Sequence, residues 1–252
     1  MNLMQRGLER RAKRALDRQL DYQRAKAAKV KGHEDQLIAS MMAHSRAIRA
    51  RIEAVRPVAA DARVLEVGCG AHGLIFFSGA GEGVGVDPLA DHYRELFPVW
   101  QSRAKTVAVG GETLPFDDDS FDVVLCDNVV DHALNPRKIL EEIARVLKPG
   151  GTLYFEVNVH HPVYHAAATA HATWRAVGVP FEITPFADHT VHFTLGAARA
   201  LFDGLPLRKL SEWDDVAEVK RTGPKKLRHA GDALKKLFFK NARYEVIAAK
   251  EA

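Results

Sequence analysis

The stretch RVLEVGCGAHG at residues 63–73 combines residue types that can hold a nucleotide-like ligand. Gly68, Gly70 and Gly73 follow the G-x-G-x-x-G spacing of a dinucleotide-binding turn. Because glycine lacks a Cβ and tolerates positive φ, a strand that runs into this loop can turn sharply and bring bare backbone against a ligand. The same pattern occurs in ordinary strand-to-helix turns, so neighbouring residues must decide between the two interpretations.

Asp87 is the neighbour that favours a ligand loop. It ends the next predicted strand, in GEGVGVDP, 17 residues after Gly70. Parallel strands bring their carboxyl ends to one edge of a sheet, so the Asp87 carboxylate should lie beside the loop and accept hydrogen bonds from both hydroxyls of a ribose. The alternative for Asp87 is a turn-forming role before Pro88.

Several motifs taken together resemble one enzyme family. VLEVGCGAHG is similar to the first motif of the class I, Rossmann-like S-adenosylmethionine-dependent methyltransferases, and GVGVDP is similar to the second. GETLPFDDDSFDVVLCDNVVDH, followed by NPRKILEEIARVLKPGGTLYF, resembles the rest of the core in the small-molecule branch related to the ubiquinone-biosynthesis methyltransferases, methyltransferase type 11. The resemblance covers residues 62–157, and the combination of motifs is much more specific than the glycine loop alone.

The resemblance implies S-adenosyl-L-methionine as the cofactor. It places Glu66 near the amino group of the methionine moiety and Asp87 on the ribose. The cofactor-binding residues that it implies are Glu66, Gly68, Cys69, Gly70, Asp87, Pro88, Glu112, Thr113, Leu114, Asp127 and Asn128, with residues 112–114 bordering the adenine and residues 127–128 passing the methionine portion. Family members often have Asp where this sequence has Gly110, so a side-chain contact with the adenine amino group is missing here.

Glu66 discriminates between the two ligands that such a loop can hold. The pyrophosphate of a dinucleotide is anionic and favours a helix N-terminus without a carboxylate beside it. S-adenosylmethionine carries a sulfonium and an ammonium group, and both tolerate Glu66. The sequence therefore predicts a methyl donor rather than a nicotinamide cofactor.

Histidines supply the candidate catalytic groups. Methyl transfer is an in-line displacement at carbon, so the enzyme mainly aligns the acceptor with the methyl group and excludes water. If the acceptor is a hydroxyl, a nearby base helps to remove its proton. The candidate bases are His132 in VVDHALNP and His160 and His161 in EVNVHHPVYH, because open α/β sheets bind ligands beyond the carboxyl ends of their strands. Capping, packing or turn formation is the alternative role for each.

The order of elements along the chain predicts a three-layer α/β/α sandwich. Strands at RVLEVGCG, GEGVGVDP, FDVVLCDNVV and GTLYFEVNV alternate with helices, which indicates a parallel sheet covered on both faces. PLRKLSEWDD and RYEVIAAK predict a C-terminal antiparallel hairpin, and the family resemblance implies seven strands in all. Asn135 should cap a helix over 135–148, with Pro136 in its first turn and Gly150–Gly151 ending it.

The charge distribution suggests a body with two basic appendages. Residues 1–56 hold 14 Lys and Arg against 6 Asp and Glu, and residues 220–240 hold 8 against 1, although the whole chain has a net charge of only +4. We expect residues 1–56 to form a basic helical extension, with residues 1–32 exposed and the apolar face of 37–55 packed on the domain. The resemblance implies that residues 57–252 form the methyltransferase domain, and we expect an acceptor-binding or lid insert at 158–192 and a basic insert at 216–240.

The composition limits where the protein acts. Cys69 and Cys126 cannot form a disulfide framework, and the histidines lack a carboxylate at a spacing such as H-E-x-x-H, so neither a disulfide scaffold nor a metal site is predicted. No apolar stretch reaches about 18 residues, so no membrane span is expected. The N-terminus has no apolar signal region. The expected location is the cytoplasm.

Three functions remain open from the sequence. The favoured one is methyl transfer to a small-molecule or sugar acceptor, with O-methylation preferred. The second is RNA methylation with the basic arms as phosphate contacts, although neither arm shows an aromatic platform or a known RNA-binding module. The third is a non-catalytic binding protein with the same fold. The basic arms would also suit peripheral contact with an anionic surface.

Overall fold

The computed structural model describes residues 3–77, 82–176, 191–222, 239 and 241–251. Its seven strands are β1 Arg63–Val67, β2 Glu82–Val86, β3 Lys105–Val107, β4 Phe121–Asp127, β5 Leu147–Val159, β6 Leu207–Asp214 and β7 Ala242–Lys250. The described helices are α1 Leu3–Val30, α2 Glu34–Val55, α3 Ala90–Leu96, α4 Pro98–Gln101, α5 Pro136–Val146, α6 Pro162–Ala176, α7 Leu195–Ala200 and α8 Val216–Thr222.

The strands form one sheet in the order β3-β2-β1-β4-β5-β7-β6. The first five are parallel to one another, whereas β7 runs antiparallel between β5 and β6. The strand order reverses at β1 and β4, and in open α/β sheets a ligand lies beyond the carboxyl ends of the strands at such a point. The predicted α/β class, with its mostly parallel seven-stranded sheet and C-terminal antiparallel pair, is confirmed.

Helices cover both faces of the sheet, which makes the three layers. One core cluster includes Ile139 and Ile143 of α5 and Ala198 of α7 against one face. The other includes Ile48 and Ile52 of α2 and aromatic residues of α3 and α4 against the opposite face. The two clusters follow from the alternation of side chains along each strand.

The helix predicted over 135–148 begins as expected and ends earlier than expected. The side chain of Asn135 accepts a hydrogen bond from the backbone N–H of Lys138 (3.1 Å), and Pro136 occupies the first turn. The helix ends at Val146, not at Gly150–Gly151, and β5 follows at once. Pro149 disfavours helical geometry in the residue before it, so the chain becomes extended ahead of the glycines.

The prediction that residues 1–32 form an exposed helix was wrong for part of α1. Leu20 and Gln23 of this helix are buried, and Leu20 belongs to the core cluster of α2, α3 and α4. Leu20, Gln23, Ala27 and Val30 recur on one face of the helix, but a Gln and an Ala in that face give a weak hydrophobic signal. A few buried residues that pack against aromatic side chains are therefore enough to hold an otherwise polar helix on the domain.

The two predicted inserts lie partly outside the described residues. The acceptor insert is described over 158–176 and 191–192, where α6 begins it. The basic insert is described over 216–222, as α8, and at Phe239. Across the described helices there is no segment both long and apolar enough to cross a membrane.

Candidate functional site

The glycine loop connects β1 to a short 3-10 turn, Leu74–Phe76, at the switch point of the sheet. Gly68 and Gly70 have φ values of +72° and +53°, which favour glycine. A Cβ on Gly68 would lie 2.9 Å from Cβ of Val129, so the loop also needs glycine there for space. The backbone N–H groups of Gly68 and Cys69 donate to the carbonyl of Val86 in β2, at 2.8 and 3.0 Å. The loop is therefore tied directly to the neighbouring strand.

Side chains from α4 hold the outer side of the loop. Trp100 Nε1 donates to the carbonyl of Ala71 (2.8 Å), and Gln101 Nε2 donates to the carbonyls of Gly70 (3.2 Å) and Ala71 (3.0 Å). Both side chains are buried. These contacts fix the loop carbonyls on the side away from β1.

Gly73, the third glycine of the pattern, is required by crowding inside the protein. A Cβ at this position would lie 2.5 Å from Oε2 of Glu66 and 3.0 Å from Cα of Cys69. We expect Gly73→Ala to lower the free energy of unfolding by about 2 kcal/mol, the scale of an overpacked core position. Urea denaturation measures this effect.

The matched control for that variant is Gly196→Ala. Gly196 lies in α7, and a Cβ there would meet no atom within 4 Å. Since alanine is the better helix former, this second variant should be neutral or slightly stabilising. Equal stability of the two variants would contradict the crowding at Gly73.

Asp87 lies beside the glycine loop, as the parallel topology predicts. Its Oδ2 accepts a hydrogen bond from the N–H of Gly70 (3.1 Å), and its Oδ1 accepts one from the N–H of Leu89 (2.8 Å). Burial raises the pKa of Asp87, while these two N–H donors lower it. The carboxylate thus lies at the edge of the loop with each oxygen already anchored by a backbone donor.

Glu66 lies behind the loop. Its Oε1 accepts a hydrogen bond from the N–H of Leu74 (3.0 Å) and its Oε2 accepts one from the N–H of Ile75 (2.8 Å). Only 2% of Glu66 is exposed, and burial raises the pKa of its carboxyl to about 8. In this structure Glu66 positions the 3-10 turn that follows the loop.

A cavity of about 390 Å³ opens in front of the loop, a size within the range of small-molecule and cofactor sites. Seven of the predicted site residues line it, namely Gly68, Gly70, Asp87, Pro88, Glu112, Asn128 and His132. Residues that the sequence did not single out also line it, including Tyr93, Val129, Ile139 and, from α1, Ala15, Leu16 and Gln19. One cavity therefore joins the loop, the ends of β2 and β4, and the N-terminal helix.

Besides Glu66, four predicted cofactor residues do not line this cavity. Cys69 is buried under the loop, where its Sγ would lie 2.7 Å from a Cβ on Gly85. Leu114 is buried and donates its N–H to Glu142 Oε2 (2.9 Å), whereas Thr113 is exposed. The fourth, Asp127, is the last residue of β4, and its carboxylate contacts α2. These four residues are close in the chain to lining residues but do not form the cavity surface.

The side chain of Glu112 lies close to Gly110, the position at which the family resemblance leads one to expect an Asp. A Cβ on Gly110 would lie 3.0 Å from Oε2 of Glu112, and both residues line the cavity. The other oxygen of Glu112 accepts hydrogen bonds from the N–H groups of Leu134 (3.0 Å) and Asn135 (3.4 Å). A carboxylate is thus supplied here by a residue two positions further along the chain.

The three candidate bases lie in different environments. His132 lines the cavity, with Nε2 at 3.8 Å from Asp131 Oδ1. His160 is fully buried, packs against the rings of Tyr164 and His192, and its Nδ1 accepts the N–H of Asn241 (3.2 Å). The third is His161, whose Nδ1 accepts a hydrogen bond from the backbone N–H of Val163 (3.2 Å). The structure brings only His132 of these three to the cavity.

A fourth histidine, His44, was missed by the sequence reasoning. It lies on α2, with Nε2 at 3.7 Å from Oδ2 of Asp127, the last residue of β4. The hydrogen bond with Asp127 raises the pKa of His44 and burial lowers it, with smaller contributions from Glu156, which raises it, and Arg51, which lowers it. Asn128, the next residue after Asp127, lines the cavity. A His in the middle of an amphipathic helix gives no sequence signal, because the contact depends on how α2 docks.

Ser45 fixes that docking. Its hydroxyl donates to the carbonyl of Leu74 at the end of the glycine loop (3.2 Å), and the side chain is buried. The N-terminal half of α2 therefore lies at the carboxyl edge of the sheet. Across the part of the chain that is described, no three His, Cys, Asp or Glu side chains are grouped to hold a metal ion.

Comparison with known proteins supports the family resemblance. Residues 65–155 match the family model of the methyltransferase domain. Thiol S-methyltransferase TMT1B of Rattus norvegicus is 31% identical over 155 residues, which are 57% of this chain and 64% of that protein. The uncharacterized methyltransferase YcgJ of Bacillus subtilis is 38% identical over 102 residues, which are 36% of this chain and 39% of that protein. The chain thus matches less than two thirds of the length of either relative.

A solved structure shows the same fold. The crystal structure of YcgJ superposes with a TM-score of 0.55 at 21% identity, covering 83% of this chain and 99% of that one. At this identity the likeness supports the architecture only. The predicted resemblance to the methyltransferases is confirmed over the core that carries the glycine loop, Asp87 and Asn128.

Proposed function

We propose that this chain, whose residues 65–155 match the methyltransferase domain, is an S-adenosylmethionine-dependent methyltransferase that acts on a small-molecule acceptor. The observation that carries the proposal is the 390 Å³ cavity in which Asp87 lies beside the N–H of Gly70. A carboxylate at the end of β2 and bare glycine backbone at the end of β1 match a ribose and the chain attached to it. The acidic surroundings suit a cationic donor.

The donor would extend along the cavity from Glu112 to Asn128. Glu112 and Gly111 would border the adenine, Asp87 the ribose, and Asn128 and Gly68 the methionine portion. Asn128 has φ +54°, a conformation that Asn tolerates better than most residues, and its Oδ1 accepts a hydrogen bond from Asn158. Glu66 would act on the donor mainly by holding the loop, and a direct contact with the donor's ammonium group stays a prediction.

The reaction proposed is an in-line displacement. The acceptor atom attacks the methyl carbon, the carbon–sulfur bond breaks, and the donor leaves as the neutral thioether S-adenosylhomocysteine. The chain contributes alignment and exclusion of water, because the leaving group needs no proton. The proton of the acceptor must go to a base or to solvent.

A hydroxyl is the acceptor group that we favour, with a thiol as the second class because the rat relative is named as a thiol S-methyltransferase. Both groups carry a proton that a histidine can accept. His132, which lines the cavity, is the first candidate base, and His44 beside Asp127 is the second. Neither His44 nor His160 lines the cavity, but His160 is fully buried whereas the His44 side chain is 48% exposed, so His160 is not favoured.

Two alternatives remain as outcomes of experiment. RNA methylation would require binding that falls steeply as salt rises, since phosphate contacts release counterions. A non-catalytic protein would bind the donor without turnover. Neither has a specific structural observation in its favour.

The test begins with donor binding and continues with turnover. Calorimetry should show binding of S-adenosylmethionine and of S-adenosylhomocysteine, and mass spectrometry should show a gain of one methyl group on a hydroxyl probe such as catechol or a thiol probe such as dithiothreitol. His132→Asn and His44→Asn then show which histidine is the base. The rise of kcat/KM with pH should disappear only in the variant that lacks the base. Absence of donor binding would overturn the proposal.

A further inference from the structure

The N-terminal helix α1 contributes three residues to the cavity that we assign to the methyl donor. Ala15, Leu16 and Gln19 line it together with Asp87 and Tyr93. The three positions lie within one turn of the helix, so they form a continuous patch on one side of it. This part of the wall lies outside residues 65–155, which match the methyltransferase domain.

Specific buried contacts hold α1 in its position. Leu20 is buried in the same core cluster as Tyr93, Phe97 and Trp100, and Gln23 is buried one turn further along. The side chain of Gln19 is hydrogen-bonded to the hydroxyl of Tyr93, which is itself 1% exposed and lines the cavity. Buried contacts therefore hold α1 against α3 at the cavity that Asp87 also lines.

The residues of α1 that line the cavity are more exposed than the residues that pack α1 against α3. Leu16 is 37% exposed, so an apolar side chain at the cavity wall is left partly open to solvent. Leu16 and Gln19 line the same cavity as Asp87 and Glu112, which would border the ribose and the adenine under the proposed function. Covering the exposed apolar area of Leu16 and the amide of Gln19 would add apolar burial and a polar contact at the donor.

We propose that α1 completes the methyl-donor site, with Leu16 and Gln19 contacting the adenosine part of the bound donor. This inference rests on the proposed function, because it names further residues of the same site. It means that donor binding also stabilises the position of α1 on α3, since a ligand that contacts both elements favours the state in which they are together.

The test uses S-adenosylhomocysteine as the probe and the full chain as the protein. Leu16→Ser and Gln19→Ala should each weaken its binding by about fivefold, the scale of one lost side-chain contact. The matched control is Tyr22→Ser, because Tyr22 lies on the same helix and is 62% exposed outside the cavity. Calorimetry measures all four proteins.

Hydrogen exchange separates contact from a purely structural role. Addition of S-adenosylhomocysteine to the unaltered protein should slow amide exchange in residues 13–30, because the ligand stabilises the docked helix. Unchanged affinity in both lining variants, or unchanged exchange of α1, would overturn the inference while leaving the methyltransferase proposal intact. If the unaltered protein bound no S-adenosylhomocysteine, both proposals would fail together.

Discussion

Asp87→Ala is expected to weaken the binding of S-adenosylhomocysteine by at least about tenfold, the scale of one lost charge-assisted hydrogen bond of about 1.5 kcal/mol. The carboxylate lies at the cavity wall, and no second carboxylate at the end of β2 can replace it. Its anchors are the N–H groups of Gly70 and Leu89, which keep both oxygens in place for the ribose hydroxyls. Calorimetric titration measures the change.

The matched control is Asp91, in the helix that follows Asp87. Asp91→Ala removes a carboxylate four residues further on, in α3, where the side chain is 64% exposed and pairs with Arg94. This variant should bind the ligand as the unaltered protein does. Circular dichroism and thermal unfolding exclude a folding defect in Asp87→Ala, and equal affinity in a folded variant would remove Asp87 from the donor site.

Glu66→Ala is expected to lower the free energy of unfolding by about 3 kcal/mol. The substitution leaves the backbone N–H groups of Leu74 and Ile75 without their acceptors inside the protein, and each loss costs about 1–3 kcal/mol. Urea denaturation of the ligand-free protein measures the effect. Glu66→Gln keeps one oxygen acceptor, so it should lose less than the alanine variant.

The pH dependence of Glu66 has a definite sign. Burial raises the pKa of the folded carboxyl from 4.5 to about 8. Between these values the folded protein keeps the proton and the unfolded chain has lost it, so the contribution of Glu66 to stability falls as pH rises. The stability of the unaltered protein minus that of Glu66→Gln should therefore decrease from pH 5 to pH 8. A constant or rising difference would mean that Glu66 is ionised in the folded state.

The parts of the fold that follow from local patterns were predictable from the sequence. The strand ends at Val67 and Asp127, the helix cap at Asn135 and each of the two C-terminal strands depend on residues close together in the chain. Asp87 beside Gly70 was also predictable, because parallel strands place their carboxyl ends together. The parallel topology therefore predicts a contact between residues that are 17 positions apart in the chain, without any side-chain pattern that links them.

The parts that depend on docking were not predictable. The burial of α1 depends on the surface that Tyr93, Phe97 and Trp100 offer, and the sequence of α1 alone is polar. His44 reaches Asp127 only because α2 lies against the glycine loop. The early end of α5 reflects Pro149, which disfavours helical geometry in the residue before it. In each case the missing information was a contact between distant segments or a competing backbone constraint.

The burial of the two cysteines makes this chain suitable for site-directed labelling. Both thiols are free and buried, and burial raises the pKa of Cys69 and of Cys126, so little reactive thiolate forms at neutral pH. A fluorophore or spin label attached through maleimide chemistry to Tyr22→Cys, on the exposed side of α1, should therefore report from that position without removal of the native cysteines. The position of the N-terminal helix then becomes measurable in solution, in real time, as S-adenosylhomocysteine is added.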